Sequence, residues 1–339
     1  MLALPPAGPG PAADTEYEDL LGQWSDLESA LSILLLRPLS VTDFPAKVRQ
    51  CDRWLQGLVT HDIDAALYLM FQLASTSTAG YSASHALVCG TLCHIMALDA
   101  GLPAHERDSL VRAAFTMNIG MTALQDELAL QREPLTAEQQ KAVALHPQAG
   151  LGMLEELNIT NDLWLEVVAL HHQPLSDAAM LTALPAPERL ARILSTIDRY
   201  AAIINPRKSR AGRSATDSVR AIVGHESDMH DEVGLALVRT VGLCPPGTFV
   251  RLDNGETAIV LRRSDRPNLP LVASVLNANG EPQSAPTLHE TARGRPRILS
   301  ALARSAVTVE LPYRAMVRLG MYAAHRPAAA LSPPAQRAE

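Results

Sequence analysis

Apolar residues recur every three to four positions from about Tyr17 to Pro245, and this period limits most of the chain to helices. Glycine, proline and asparagine residues mark the breaks between the helices. Predicted helices cover about 20–36, 45–59, 65–73, 83–100, 106–117, 136–156, 162–172, 186–204, 214–224 and 228–241. Asp62 or Asp64 is predicted to cap the third of these helices at its N-terminus.

The pattern changes after Cys244-Pro245-Pro246-Gly247. The segment FVRLDNGETAIVLRR alternates apolar and polar residues around Asp253-Asn254-Gly255, which is a strong β-hairpin signal. Leu271–Leu276 and Val307–Leu311 are candidates for further strands. The sequence therefore predicts an all-α bundle with a small C-terminal β-hairpin (α+β) appendage.

Charge and composition exclude several classes of protein. A net charge of −7 and a pI of about 5.9 argue against a nucleic-acid polymer as partner. The most apolar run, Leu31 to Leu36, is far shorter than the roughly 20 residues of a spanning helix, so membrane insertion is not expected. The N-terminus, MLALPPAGPGPAAD, lacks a basic start and indicates a disordered tail rather than a secretory signal. Four cysteines do not form a disulfide framework in a chain of 339 residues, which predicts a reduced, cytoplasmic location.

Several side chains with metal-binding chemistry lie within the predicted helices. His85, Cys89 and Cys93 share one helix face, which fits either a zinc site or thiols buried in a core. His146, His171, His172 and the acid Asp198 follow in later helices. Neighbouring helical residues point about 100° apart, so His171 and His172 would address two adjacent ions more readily than one. Taken singly, each histidine is explained as a packed or capping residue; taken together with Asp198, they suggest a metal centre or its relic.

Five stretches occur in an order that resembles HD-GYP domains: YSASHALVCGTL, RAAFTMNIGM, REPLTAEQQKAVALHPQAGLGMLEEL, VVALHHQ and ERLARILSTIDRYAAIINPRKSR. The resemblance covers roughly residues 65–262, including CPPGTFVRLDNGETAIV, which is similar to a β extension found after such domains. It implies an HD-type helical bundle and the hydrolysis of cyclic di-GMP at a centre of two or three metal ions. It also implies that His85, His146, His171, His172 and Asp198 correspond to metal ligands.

The departures from the family pattern fall on the chemistry. Met117-Asn118 stands where the family has its His-Asp dyad, and Met121 stands where a lysine follows. QPLSDAAMLTALPAPE replaces the glycine-rich loop after the two histidines. Asn118 carries no negative charge to hold two dications together, and the thioether of Met117 suits copper(I) better than iron, manganese or zinc.

A partial centre is therefore expected, with either no metal or one weakly bound divalent ion (zinc, manganese or iron) at His146, His171 and His172. His85 and Asp198 are expected to have too few partners for a second ion. Arg207 and Arg210 match an arginine-rich turn near the family's substrate phosphates, and either bind an anion or form an ordinary solvated loop.

The favoured function is a catalytically inactive or impaired HD-GYP-like protein that acts by binding cyclic di-GMP or another signalling protein, with a homodimer as one arrangement. The alternatives are an active metal-dependent phosphodiesterase and a purely structural interaction module. The predicted organisation is a disordered tail (1–13), an N-terminal helical region (14–80), a degenerate HD-GYP helical domain (81–242), a β-containing region (243–322) and a Pro/Ala-rich tail (323–339).

Overall fold

The computed structural model describes residues 2–3, 11–76, 79–173, 180–204, 232–266, 269–303, 306–307 and 319. Within them the chain is mostly helical, with one small antiparallel sheet near the C-terminus, which confirms the predicted fold class. The helices are α1 (Pro11–Leu36), α2 (Phe44–His61), α3 (Ile63–Thr76), α4 (Tyr81–Asp99), α5 (Ala104–Thr116), α6 (Thr122–Leu130), α7 (Ala137–Glu156), α8 (Asp162–Leu170), α9 (Ala186–Ile204) and α10 (Glu232–Val241).

Helix α4 lies at the centre of the bundle. Every residue from Ser82 to Ala97 is buried, so this helix has no solvent-facing stripe and is surrounded by other helices. Its first turn is capped from a distant helix, because the Asp126 carboxylate of α6 accepts hydrogen bonds from the backbone N–H and the hydroxyl of Ser82, at 2.7 and 3.0 Å. This cap fixes the end of α4 that carries His85.

The sheet has the strand order β1-β5-β4-β3-β2-β6, and every neighbouring pair is antiparallel. Its strands are β1 (Leu2–Ala3), β2 (Phe249–Leu252), β3 (Thr257–Arg262), β4 (Leu271–Leu276), β5 (Pro282–Glu290) and β6 (Ile298–Leu302). The predicted hairpin is confirmed as β2 and β3, and the strand predicted at Leu271–Leu276 is β4. Residues 308–311 of the other predicted strand lie outside the described residues, as does the predicted helix at 214–224.

The sheet packs against the N-terminal end of α3. Asp62 caps α3 by accepting from the N–H groups of Asp64 and Ala65, as predicted, and it also binds the Arg262 guanidinium at 2.7 Å. Asp64 binds Arg263 at 2.6 Å. These ion pairs join the end of β3 to the helical bundle, and one face of the sheet shares the bundle's apolar core.

Three features differ from the prediction. Helix α6 was not predicted, nor were strands β5 and β6. Within the stretch predicted to be a disordered tail, Leu2–Ala3 forms a strand against β5 and α1 begins at Pro11, a residue type that suits the first turn of a helix because it needs no N–H donor there. The proposed domain boundaries remain predictions.

One helix among the described residues has the length and hydropathy of a membrane span, although none was predicted. This helix is α4, and nearly all of its apolar stretch is buried inside the protein. Its hydropathy is therefore explained by its position at the centre of the bundle.

Candidate metal centre

Four helices bring the predicted histidines and the aspartate into one cluster. His85 lies on α4, His146 on α7 and Asp198 on α9, while His171 and His172 follow the last residue of α8. His85, His146 and His171 are almost completely buried, and the His172 side chain is 43% exposed. The cluster therefore opens to solvent on the His172 side.

His146, His171 and His172 form the first of two groups, which we call the histidine group. Each offers a ring nitrogen, and the three nitrogens lie within 4.8 Å of one another. The expectation that His171 and His172 would point to different ions assumed that both are helical. Helix α8 instead ends at Leu170, and beyond this end the two ring centroids lie 4.2 Å apart and 5.1 Å from that of His146.

Backbone carbonyls fix the tautomers of two of these rings. The Nδ1 of His146 lies 2.6 Å from the Val143 oxygen, and that of His171 lies 2.7 Å from the Val168 oxygen. A carbonyl oxygen can only accept, so Nδ1 carries the proton in both rings and Nε2 is bare when the rings are neutral. The two Nε2 atoms face each other at 3.2 Å.

Two facing lone pairs need a cation between them. A proton is a poor candidate, because burial, with the nearby His172, lowers the pKa of His171 to about 3, and burial also lowers the pKa of His146. A divalent metal ion suits the arrangement better, since neutral imidazole nitrogens are its common ligands and three of them leave an open position. The donor set of the histidine group therefore fits a metal ion.

His85, Cys89 and Asp198 form the second group, which we call the thiol group. The His85 Nε2 lies 2.8 Å from Asp198 Oδ1 and 3.6 Å from the Cys89 sulfur. Although burial raises the pKa of Asp198, the hydrogen bond from His85 and the nearby histidine charges lower it to about 2. The Cys89 thiol is fully buried, and burial with the adjacent Asp198 raises its pKa.

Asp198 connects the two groups. Its Oδ1 binds His85, while its Oδ2 lies 3.8 Å from the His172 Nε2. The electrostatic effect of this carboxylate reaches both groups.

The Met117–Met121 segment packs directly against the turn of α7 that carries His146. Met117 is buried at the end of α5, and Asn118 begins a short 3-10 turn, Ile119–Met121. A Cβ atom at Gly120 would lie 2.6 Å from the Gly150 nitrogen and 2.8 Å from the His146 oxygen, so only glycine permits this approach. The segment that matches the family's dyad is thus held beside the histidine group.

Some of the predicted residues lie outside the part of the chain that the structure describes, and one predicted donor does not join the cluster. Arg207, Arg210 and residues 174–179 of the replaced loop lie outside the described residues. Cys93 is buried like Cys89, but among the described residues only Cys89 joins His85 and Asp198. The four-residue spacing of His85 and Cys89 predicted that they share a face; the approach of Asp198 comes from packing between α4 and α9, which no local pattern reveals.

Comparisons with known proteins found one curated relative and a solved structure of similar fold. No family model matches the chain. It is 28% identical over 192 residues to the cyclic di-GMP phosphodiesterase PA4108 of Pseudomonas aeruginosa, a match that covers 55% of this chain and 45% of the relative. The chain thus spans less than half the length of this curated relative.

A solved structure is also similar: Bd1817, an HDG"Y"P protein from Bdellovibrio bacteriovorus. The identity is 12% and the TM-score 0.48, over 68% of this chain and 74% of the other. The helical fold with its converging histidines agrees with the HD-type bundle that the sequence motifs led us to expect. The curated relative is named for the activity that the resemblance to HD-GYP domains implies, cyclic di-GMP hydrolysis.

Proposed function

We propose that this chain is a signalling protein of the HD-GYP type that binds cyclic di-GMP and hydrolyses it slowly or not at all. Support for the nucleotide comes from the curated relative, a cyclic di-GMP phosphodiesterase. Docking to another signalling protein is the alternative route by which an inactive scaffold would act.

One observation supports the loss of hydrolysis most directly. The two donor groups contain one carboxylate between them, Asp198, and it is already hydrogen-bonded to His85. A two-metal hydrolase holds its ions roughly 3.5–4 Å apart, where their mutual repulsion requires anionic ligands. The residue that matches the family's shared carboxylate is Asn118, which is neutral, so a closely bridged pair of ions would lack the charge of a bridging carboxylate.

A single ion at the histidine group is compatible with these residues. His146 and His171 would hold it through Nε2, and His172 would complete a three-imidazole set. A divalent ion bound there supplies Lewis acidity toward a phosphoryl oxygen. The chain's own residues supply the rest: Val143 and Val168 orient the rings, and burial excludes water from two of them.

The proposal is tested by calorimetric titration of the manganese-loaded protein with cyclic di-GMP, followed by analysis of the recovered nucleotide. We expect saturable binding and intact nucleotide. His171→Ala should weaken binding because it removes a ligand of the ion, whereas His105→Ala, a change at an exposed histidine of α5, should leave binding unchanged. Absence of binding by the metal-loaded protein would rule out the nucleotide-binding role.

An active phosphodiesterase is the second candidate, and one observation favours it. All five residues that match family ligands converge in one cluster, although they come from four separate parts of the chain. Rapid conversion of the nucleotide in the same titration, lost in His171→Ala, would establish this alternative.

A further inference from the structure

The thiol group raises a question that the proposed function does not answer. His85 and Asp198 were expected to have too few partners to hold an ion, yet the structure places a third donor, the Cys89 sulfur, beside them. We propose that His85, Cys89 and Asp198 form a thiolate-containing site for a zinc-like divalent ion, separate from the ion at the histidine group.

The spacing of the donor atoms fits such an ion. With Zn–S of roughly 2.3 Å and Zn–N of roughly 2.1 Å, a tetrahedral angle places sulfur and nitrogen roughly 3.6 Å apart. The observed separation of Cys89 Sγ and His85 Nε2 is 3.6 Å. The His85–Asp198 distance of 2.8 Å is that of a hydrogen bond and would widen by roughly 0.6 Å around the ion.

An ion bound to His85 would take the place of the proton that Nε2 now donates to Asp198, and the ring's remaining proton would then lie on Nδ1. Its Nδ1 is buried and has no hydrogen-bond partner among the described side chains and backbone, so no carbonyl fixes the proton as in His146 and His171. The ring is instead held by stacking on Tyr81, with centroids 5.6 Å apart and planes 17° apart. Stacking orients the ring whichever nitrogen carries the proton.

Charge also favours the site. A dication bound to Cys89 displaces the thiol proton to solvent, and the resulting thiolate adds a second negative charge beside Asp198. A soft sulfur ligand selects zinc or cobalt over manganese and magnesium, so the two groups differ in the ion that they prefer.

Cys93 is a buried thiol on the same helix that does not belong to the thiol group. It is buried as deeply as Cys89 and one turn further along α4, but in the part of the chain that the structure describes its sulfur makes no hydrogen-bonding contact. This residue is the matched control for the experiment.

The test is titration of the chelator-treated protein with cobalt(II), without nucleotide. We expect a thiolate-to-cobalt charge-transfer band in the near ultraviolet that saturates at one site per chain. Cys89→Ser should abolish the band and Cys93→Ser should retain it. Absence of the band in the unmodified protein, or its persistence in Cys89→Ser, would overturn the proposal.

A second measurement needs no variant, because a change at a buried cysteine can prevent folding. It is X-ray absorption at the zinc edge on the unmodified, zinc-loaded protein, which reports the ligand atoms of the ion. We expect one sulfur neighbour at roughly 2.3 Å among nitrogen and oxygen neighbours. A shell of nitrogen and oxygen alone at full zinc occupancy would contradict the assignment. Either failure leaves the nucleotide-binding experiment untouched, so the two proposals stand or fall separately.

Discussion

At the scale of single residues, the surroundings of each buried histidine decide what it can bind. His146 and His171 each donate an Nδ1–H hydrogen bond to a carbonyl three residues earlier and present a bare Nε2 to the cluster. His94, on the same helix as His85, has a different role. It lies in the core, and its Nδ1 has no hydrogen-bond partner within the described residues.

We predict that His94 makes the fold sensitive to acid. Burial, with the nearby Arg107, lowers its pKa from the ordinary 6.5 to about 4. Between these values the unfolded chain binds a proton that the folded chain excludes, so stability falls as the pH is lowered from 6.5 to 4. The full difference corresponds to about 3 kcal/mol. Urea unfolding across this pH range should show a smaller loss for His94→Leu than for the unmodified chain; equal losses would contradict the assignment.

At the scale of secondary-structure elements, two contacts fix elements that surround the site. One is the approach of the 3-10 turn at Gly120 to α7. The other is a buried ion pair between α2 and α5, in which the fully buried Asp52 binds the Arg112 Nε at 2.8 Å. Asp108 and Gln56 complete this network.

We predict opposite effects for two glycine substitutions. Gly120→Ala forces a Cβ against the backbone of α7 and should lower the free energy of unfolding by about 1–3 kcal/mol. Gly152→Ala, inside α7 and with no atom within 4 Å of the added Cβ, should raise it by about 0.5–1 kcal/mol. Denaturant unfolding of both variants measures the difference. Unchanged stability in Gly120→Ala would mean that the turn is not packed as described.

We also predict that Arg112→Met costs about 3–5 kcal/mol of unfolding free energy, because it leaves the Asp52 carboxylate buried without its cation. Burial already raises the pKa of Asp52, so the unpaired acid should take up a proton more easily in the variant. Adding Asp52→Asn should recover part of the loss. The control is Arg293→Met, which removes the ion pair between Glu290 and Arg293, a side chain that is 59% exposed. It should change the free energy of unfolding by less than about 1 kcal/mol. A similar small effect at both arginines would contradict the prediction.

The helices and the hairpin could be predicted because their signals are local. Period and turn residues are properties of neighbouring positions, and the predicted 186–204 coincides with α9. Helix α6 was not predicted, because it is held in place by a contact distant in sequence, the hydrogen bond that Asp126 of α6 accepts from the first turn of α4. Strand β5 was missed because Pro282 and Pro286 weaken its pattern, and it forms only where β4 offers an edge.

At the scale of the whole molecule, the site is assembled from parts of the chain far apart in sequence. The sequence motifs predicted which side chains belong together, and the structure brings all five into one cluster. The tautomers and the approach of Asp198 to His85 and Cys89 could not be predicted, since both depend on how α4, α7, α8 and α9 pack.

Under the proposed function, this scaffold holds the donors for metal ions but lacks the charge that brings two of them together for hydrolysis. The sheet, joined to α3 through Arg262 and Arg263, is part of the same folded unit and shares its core. We therefore expect the protein to fold stably and to bind a metal ion even where it does not hydrolyse cyclic di-GMP.

The most direct test is the rate of cyclic di-GMP hydrolysis by the protein loaded with manganese, iron or zinc, measured beside His171→Ala. We expect both proteins to leave the nucleotide intact at the same background rate. Hydrolysis by the unmodified protein well above that of His171→Ala would contradict it, because it would show that Asn118 and Met117 do not prevent a working metal pair.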